Sequence, residues 1–231
     1  MHRQTGVNVF YLQQYCEDMR IRWHGHSCFE FFDSGKSIII DPHDGKSIGI
    51  KPPISNADIV LISHDHFDHN AQRIIKKEHS LLFAEKGKHV VKGIEVEGFS
   101  SFHDNSNGAI RGMNTIYKLT IDGISVCHCG DLGDIPSADV VKALRNVDIV
   151  FIPVGEVYTL QIAMAKEFLS LIEPKIVVPM HYRVGGLTIP LKTVDDFLEG
   201  VPNEKILYVG NEVELSSEDI CEFSGVWVFD R

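Results

Sequence analysis

The sequence predicts an α+β protein built on two β-sheets with helices outside them. Strand-like apolar runs alternate with helix-like runs from end to end. The front half is mostly strand and the back half alternates helix with strand, an order that suits two sheets covered by outer helices. No linker, repeat or low-complexity segment divides the 231 residues, which suffice for one sizeable core.

Each element has a local reason. Residues 21–24 and 28–32 open the pattern as a pair of strands, and residues 37–41 form a third, ended by Pro42. Residues 59–63 are an apolar run of buried-strand length. Residues 70–78 have helical potential, with Ile74 and Ile75 as the apolar face. Residues 90–99, with Gly93 inside, suit a hairpin, and residues 115–129, turning at Asp122-Gly123, give the clearest hairpin signal. Ser137 is placed to cap a helix running through Val140, Val141 and Leu144. Residues 148–154 are a buried strand, 160–172 a helix stopped before Pro174, and 176–180 another strand. A short helix over 193–198 is closed by Gly200, and 207–215 is a late strand region. The pattern begins at Met19, so residues 1–18 are expected to be an N-terminal extension, or Met19 the natural start, with 19–231 as the folded domain.

Composition narrows the function. Hydrophobic residues are 44% and charged residues 23%, as in ordinary soluble proteins. No apolar run has the length of a bilayer span or of a signal peptide, so a cytoplasmic location is expected. Five cysteines, an odd number, do not make a disulfide framework. Cys127 and Cys129 flank His128 either as buried strand residues or as a thiolate pair lacking a second pair. The net charge of −10, with no basic run, argues against nucleic acid and for a small ligand. A homo-oligomer is left open.

The chemistry concentrates at His64-Asp65-His66-Phe67-Asp68-His69, directly after the strand over 59–63. Neutral imidazole and carboxylate are the ligands that zinc and its neighbours prefer, and His-x-His in an extended chain puts both rings on one side. Such a cluster is half of a metal site. Three later strand ends offer the rest: His103-Asp104, Gly130-Asp131-Leu132-Gly133 and His181-Tyr182.

This order of motifs resembles the metallo-β-lactamase superfamily from about Met19 onward. Gly25-His26-Ser27-Cys28-Phe29, Asp41-Pro42, Arg111-Gly112-Met113-Asn114-Thr115 and Pro179-Met180-His181-Tyr182 resemble its branch of small prokaryotic metal-dependent hydrolases near the ascorbate-6-phosphate lactonases. The resemblance implies a four-layer αββα sandwich with metals at one edge between the sheets. It implies two divalent ions: zinc, with manganese or iron as alternatives. His64, His66 and His103 would hold the first, and Asp68, His69 and His181 the second, with Asp131 bridging. His128 competes with His103, but three residues before Asp131 a strand side chain faces the other way.

The implied reaction is hydrolysis of a small anionic ester, a lactone or phosphodiester, by a metal-bridging hydroxide, with Asp68 and Asp131 as the catalytic carboxylates. Two divalent ions, two aspartates and one hydroxide sum to about +1, a positive spot suited to an anion. Asp41 is either a turn residue or a hydrogen-bond partner of a ligating histidine, and His26 is either structural or beside the pocket. Arg111, Asn114 and Tyr158 are candidates for substrate contact, Arg111 through its bidentate fork. Two other classes remain. One is a catalytically silent metal-binding or interaction module. The other is a di-iron oxygen-reducing domain, which usually carries Glu where this chain has His66.

Overall fold

The computed structural model describes residues 18–33 and 35–230. The expected extension, apart from Asp18, falls on residues outside these. The chain lays down one sheet and then the other. Strands β1 (Met19–Gly25), β2 (Cys28–Asp33), β3 (Lys36–Ile40), β4 (Ile59–Ile62) and β5 (Ser80–Phe83) lie side by side in that order in the first sheet. Strands β6 (Gly87–Val91), β7 (Ile94–Phe102), β8 (Met113–Ile121) and β9 (Ile124–His128) form an antiparallel meander in the second. Helix α1 (Ala138–Leu144) crosses to β10 (Ile149–Pro153), and α2 (Ile162–Ile172) to β11 (Ile176–Met180). Both strands are parallel to β9, as connections through a helix allow.

The C-terminal part shuttles between sheets. After α3 (Val194–Leu198), β12 (Ile206–Tyr208) joins the far edge of the second sheet, while β13 (Glu212–Leu215) pairs with β1 in the first. Helix α4 (Ser217–Glu222), opened by a capping box at Ser216 and Asp219, returns the chain to β14 (Gly225–Val228) between β12 and β11. No helix among the described residues is long and apolar enough to cross a membrane.

The core lies between the sheets. Alternation turns Phe29 and Phe31 of β2 inward, where they meet Phe151 of β10 edge-on at 4.5 and 5.4 Å between ring centres. In β4, Ile59 and Leu61 face this core, while Val60 and Ile62 join Cys28 and Ile39 in a smaller cluster. Loop residues Ala57 and Ile75 help to cover that cluster. Two mixed sheets with outlying helices make the expected α+β sandwich.

Strand direction places the site. β3 and β4 are parallel, and β7, β9, β10 and β11 all point the same way within the second sheet. Their C-terminal ends therefore gather at common edges. The segments after β3, β4, β7, β9 and β11 carry Asp41, the His64–His69 loop, His103, Asp131 and His181 respectively.

Three elements differ from expectation. The helix expected over residues 70–78 is a single 3-10 turn at Gln72–Ile74, because two adjacent isoleucines cannot form a helical stripe, which needs apolar residues three or four apart. The late strand region over 207–215 is two strands in different sheets, separated by Val209-Gly210-Asn211. Ser137 occupies the N-cap position of α1, but its side chain makes no capping hydrogen bond.

Candidate metal centre

The loop after β4 is gripped by Asp41. Its Oδ1 accepts the Ser63 backbone N–H at 2.7 Å, and its Oδ2 accepts the Ser63 hydroxyl at 2.7 Å. The His69 Nδ1 lies 3.0 Å from the same Oδ2 and donates to it. Because Ser63 spends its one proton on Asp41, its Oγ is left to accept from His64 Nδ1, 2.8 Å away. Both His64 and His69 are thus held as tautomers with a bare Nε2, the form that binds metal.

Two clusters of ligand atoms result. His64, His66 and His103 offer nitrogens within 4.8 Å of one another. His26, Asp68, His69 and His181 do the same. Asp131 lies against both. Its Oδ2 is 3.3 Å from His103 Nε2 and 3.1 Å from His181 Nε2, and its Oδ1 is 3.2 Å from His69 Nε2. His69 Nε2 and Asp131 Oδ1 are buried without a hydrogen-bond partner. Unpaired buried polar atoms are costly, and a divalent cation between them would satisfy both. The donor set of imidazoles and carboxylates fits zinc, manganese or iron.

The backbone is bent to deliver these side chains. His26, Asp41 and His181 have φ of 55°, 51° and 53°, a left-handed conformation that non-glycine residues adopt at a cost. Each follows a strand and turns the chain sharply at the sheet edge. At Gly130, φ is 55° and an added Cβ would strike Asn114 Oδ1 and the Ser63 side chain, so the Asp131 loop needs glycine there. Gly133 lies so close to the His103 backbone that a side chain would not fit.

Electrostatics follow from burial and crowding. Burial, then the neighbouring His69 charge, pushes His64 down to about 3. Burial, then His181, brings His26 to about 4 despite its 3.0 Å contact with Asp68. Burial alone would raise the Asp131 carboxyl, but His181, His69 and His103 together hold it well below its ordinary value. For His69 burial is the largest single influence and works downward, yet Asp131, Asp68 and Asp41 together raise it well above the ordinary histidine range. Metal in place of that proton would meet the same three carboxylates.

A cavity of about 490 Å³ opens over the clusters. His66, Asp68, Asp131 and His181 line its floor side, and Arg111 and Tyr158 line it as well. The Arg111 guanidinium lies 4.4 Å from the Tyr158 ring centre. Arg111 is held by a carboxylate clamp that sequence reasoning missed. Asp104 Oδ1 accepts from the N–H of Ser106 and Gly108, and Oδ2 accepts from Ile110 and Arg111. Nothing in the linear spacing signals four backbone donors converging on one side chain.

Of the expected residues, His64, His66, Asp68, His69, His103, Asp131 and His181 come together here, with His26 and Asp41 beside them. Asn114 is a correction. It is buried beneath Asp131, accepting its N–H at 3.0 Å and donating to Ser101 Oγ and the Cys129 carbonyl. All its polar atoms are used by the scaffold: it holds the Asp131 backbone and does not line the cavity over the ligand clusters. His128 stands apart from both clusters, its Nε2 on the Ser27 carbonyl at 2.9 Å and its Nδ1 accepting the Gly130 N–H. Cys127 and Cys129 are buried core residues.

Sheets meeting at an edge lined by histidines and aspartates define a metal-binding architecture, and comparison with known proteins places it in a family. Residues 20–181 match the family model of the beta-lactamase superfamily domain. A UPF0173 metal-dependent hydrolase of Ligilactobacillus salivarius is 31% identical over 80% of this chain and 93% of its own. One from Thermoplasma acidophilum is 30% identical over 74% of this chain and 86% of its own. The crystal structure of a Thermotoga maritima protein, described as a zinc-dependent hydrolase candidate of the metallo-β-lactamase superfamily, superposes with a TM-score of 0.74 at 33% identity, covering 91% of this chain and 98% of its own. The chain belongs to the metallo-β-lactamase superfamily, within its UPF0173 group of metal-dependent hydrolases.

Proposed function

We propose that this protein is a dinuclear metal-dependent hydrolase of a small anionic ester, a lactone or a phosphodiester. The observation that carries this reading is Asp131, a buried carboxylate with one unpartnered oxygen, set against histidines of two adjacent ligand clusters. His64, His66 and His103 would hold one ion and Asp68, His69 and His181 the other, with Asp131 shared. Zinc fits the set, and manganese or iron would also be accepted. When bound, such ions activate water near neutral pH and polarise the attacked oxygen.

The chain's own residues do the remaining work. Asp41 and Ser63 keep His69 and His64 in the metal-binding tautomer. His26 holds Asp68 at 3.0 Å and so fixes which carboxylate oxygen faces the cavity. Arg111 offers a fork of N–H donors to a phosphate or carboxylate on the substrate, and the Tyr158 ring supports it.

The purified protein should contain about two equivalents of metal per chain. Removing metal with a chelator should abolish turnover on a panel of phosphodiesters, phosphomonoesters and lactones, and adding it back should restore turnover. Retained turnover after His66→Ala and Asp131→Ala together would overturn the reading. Full metal loading with no activity across the panel would favour a silent metal-binding module.

A further inference from the structure

A second cavity, of about 380 Å³, adjoins the one over the metal ligands. The two share His103, Arg111 and Tyr158, so the stacked Arg111–Tyr158 pair stands between them. The carboxylates on the walls of the second cavity are already compensated. Asp104 is saturated by four backbone N–H groups. Glu156 pairs with Lys192 at 2.5 Å and accepts the Ile162 N–H at 3.0 Å. Arg111, stacked on Tyr158, lines both cavities, and in the anionic-ester reading the anionic group of the substrate takes it.

What is left unengaged is uncharged. Thr159 lines this cavity, is only 9% exposed, and its buried Oγ1 has no hydrogen-bond partner among the described residues. Its backbone N–H is tied to the Glu156 carbonyl at 2.8 Å, so the hydroxyl is held in place. Gln161 adds an exposed amide. Ile110 and Val157 line the same cavity with side chains that are 71% and 51% exposed, and Met164 completes an apolar wall. A buried hydroxyl without a partner is unusual in folded proteins and marks a place where a ligand group can be received. With Arg111 taken by the anionic group, a second charged group on the ligand would lose its water there without gaining a counter-ion of its own.

We propose that the second cavity is a subsite for an uncharged, hydrogen-bonding end of the substrate, such as an amide, carried on an apolar body. The substrate then spans the Arg111–Tyr158 pair, its anionic group beside the metal ligands and its neutral end against Thr159 and Gln161. This rests on the proposed anionic-ester reading and extends it to the far end of the molecule.

Non-hydrolysable arylphosphonates test it. Calorimetry on the metal-loaded protein would compare phenylphosphonate with its para-acetamido and para-carboxy derivatives. The acetamido compound should bind about tenfold more tightly than phenylphosphonate, the value of one or two well-made hydrogen bonds. The carboxy compound should bind no more tightly. Thr159→Val with Gln161→Ala should reduce the acetamido advantage to less than about twofold while leaving phenylphosphonate unchanged, and Thr159→Ser should keep most of it. An acetamido advantage that is absent, or that survives the double substitution, overturns the subsite. Failure of phenylphosphonate itself to bind would instead defeat the anionic-ester reading, and the subsite with it.

Discussion

Asp41 and Asp131 are both buried carboxylates just past strand ends, both among histidines, and both held below the ordinary carboxylate range. Their partners differ. Asp41 accepts three hydrogen bonds, from Ser63 N–H, Ser63 Oγ and His69 Nδ1, and is spent on the scaffold. Asp131 has its own N–H fixed by Asn114, but its Oδ1 is without a hydrogen-bond partner and its carboxylate faces His69, His103 and His181. Burial and charge alone do not separate the two. The pairing of each oxygen does, because a saturated carboxylate orients its neighbours whereas an open one is available to a cation. Asp148, far from the ligand clusters, repeats the Asp41 arrangement, accepting the N–H and Oγ–H of Ser125 and pairing with Lys175 at 2.8 Å.

The contrast makes graded predictions. The largest effect is expected for Asp131→Ala, which removes the carboxylate that we propose is shared between the two ligand clusters. Metal-dependent turnover should fall by more than about a hundredfold, beyond what loss of an outer partner costs, and metal content should drop below two equivalents. Asp41→Asn keeps the shape but replaces one acceptor oxygen with an amide. Metal affinity should weaken by roughly 10–100-fold in a competition titration with a chromogenic chelator, with the fold retained. An effect of Asp41→Asn as large as that of Asp131→Ala would erase the distinction.

The smallest effect belongs to Asp148→Ala, which should cost about 1 kcal/mol of stability at pH 7 and leave metal content unchanged. Burial opposes the charged form of Asp148, but Lys175 and Ser125 outweigh it and lower its pKa in the folded protein. A depressed carboxylate pKa contributes stability above the unfolded value, near 4, and loses it as pH falls through the folded value. Urea midpoints of native and variant protein should therefore differ at pH 7 and converge toward pH 3.

Much of the site was legible because four of its ligand candidates lie within six residues. His64, His66, Asp68 and His69 need only one strand end and one tight turn, closed by the His69 and Asn70 N–H groups on the His66 carbonyl. His103, Asp131 and His181 were legible as polar residues after apolar runs, since strands that share a direction end at the same edge. The misreading of Asn114 has the opposite cause. Its partners, Ser101, Cys129 and Asp131, come from β7 and the segment after β9, and no local pattern records that they surround it. The Asp104 clamp was missed for another reason: its donors, Ser106, Gly108, Ile110 and Arg111, are near in sequence, but only the folded loop turns all four N–H groups onto one side chain.

The fold shows the same division. Hairpins and buried strands declare themselves through turn residues and alternation, which are short-range properties. The strand regions near the C-terminus do not. Strands β12 and β13 are separated by only three residues yet join different sheets, a choice made by the edges that β14 and β1 present. Sequence by itself determined the strand-rich sandwich, the clustered imidazoles and the strand ends that could complete them. Tertiary structure alone decided which oxygen of which aspartate is satisfied. That depends on donors brought together from distant segments, and hydrogen bonds are satisfied in space.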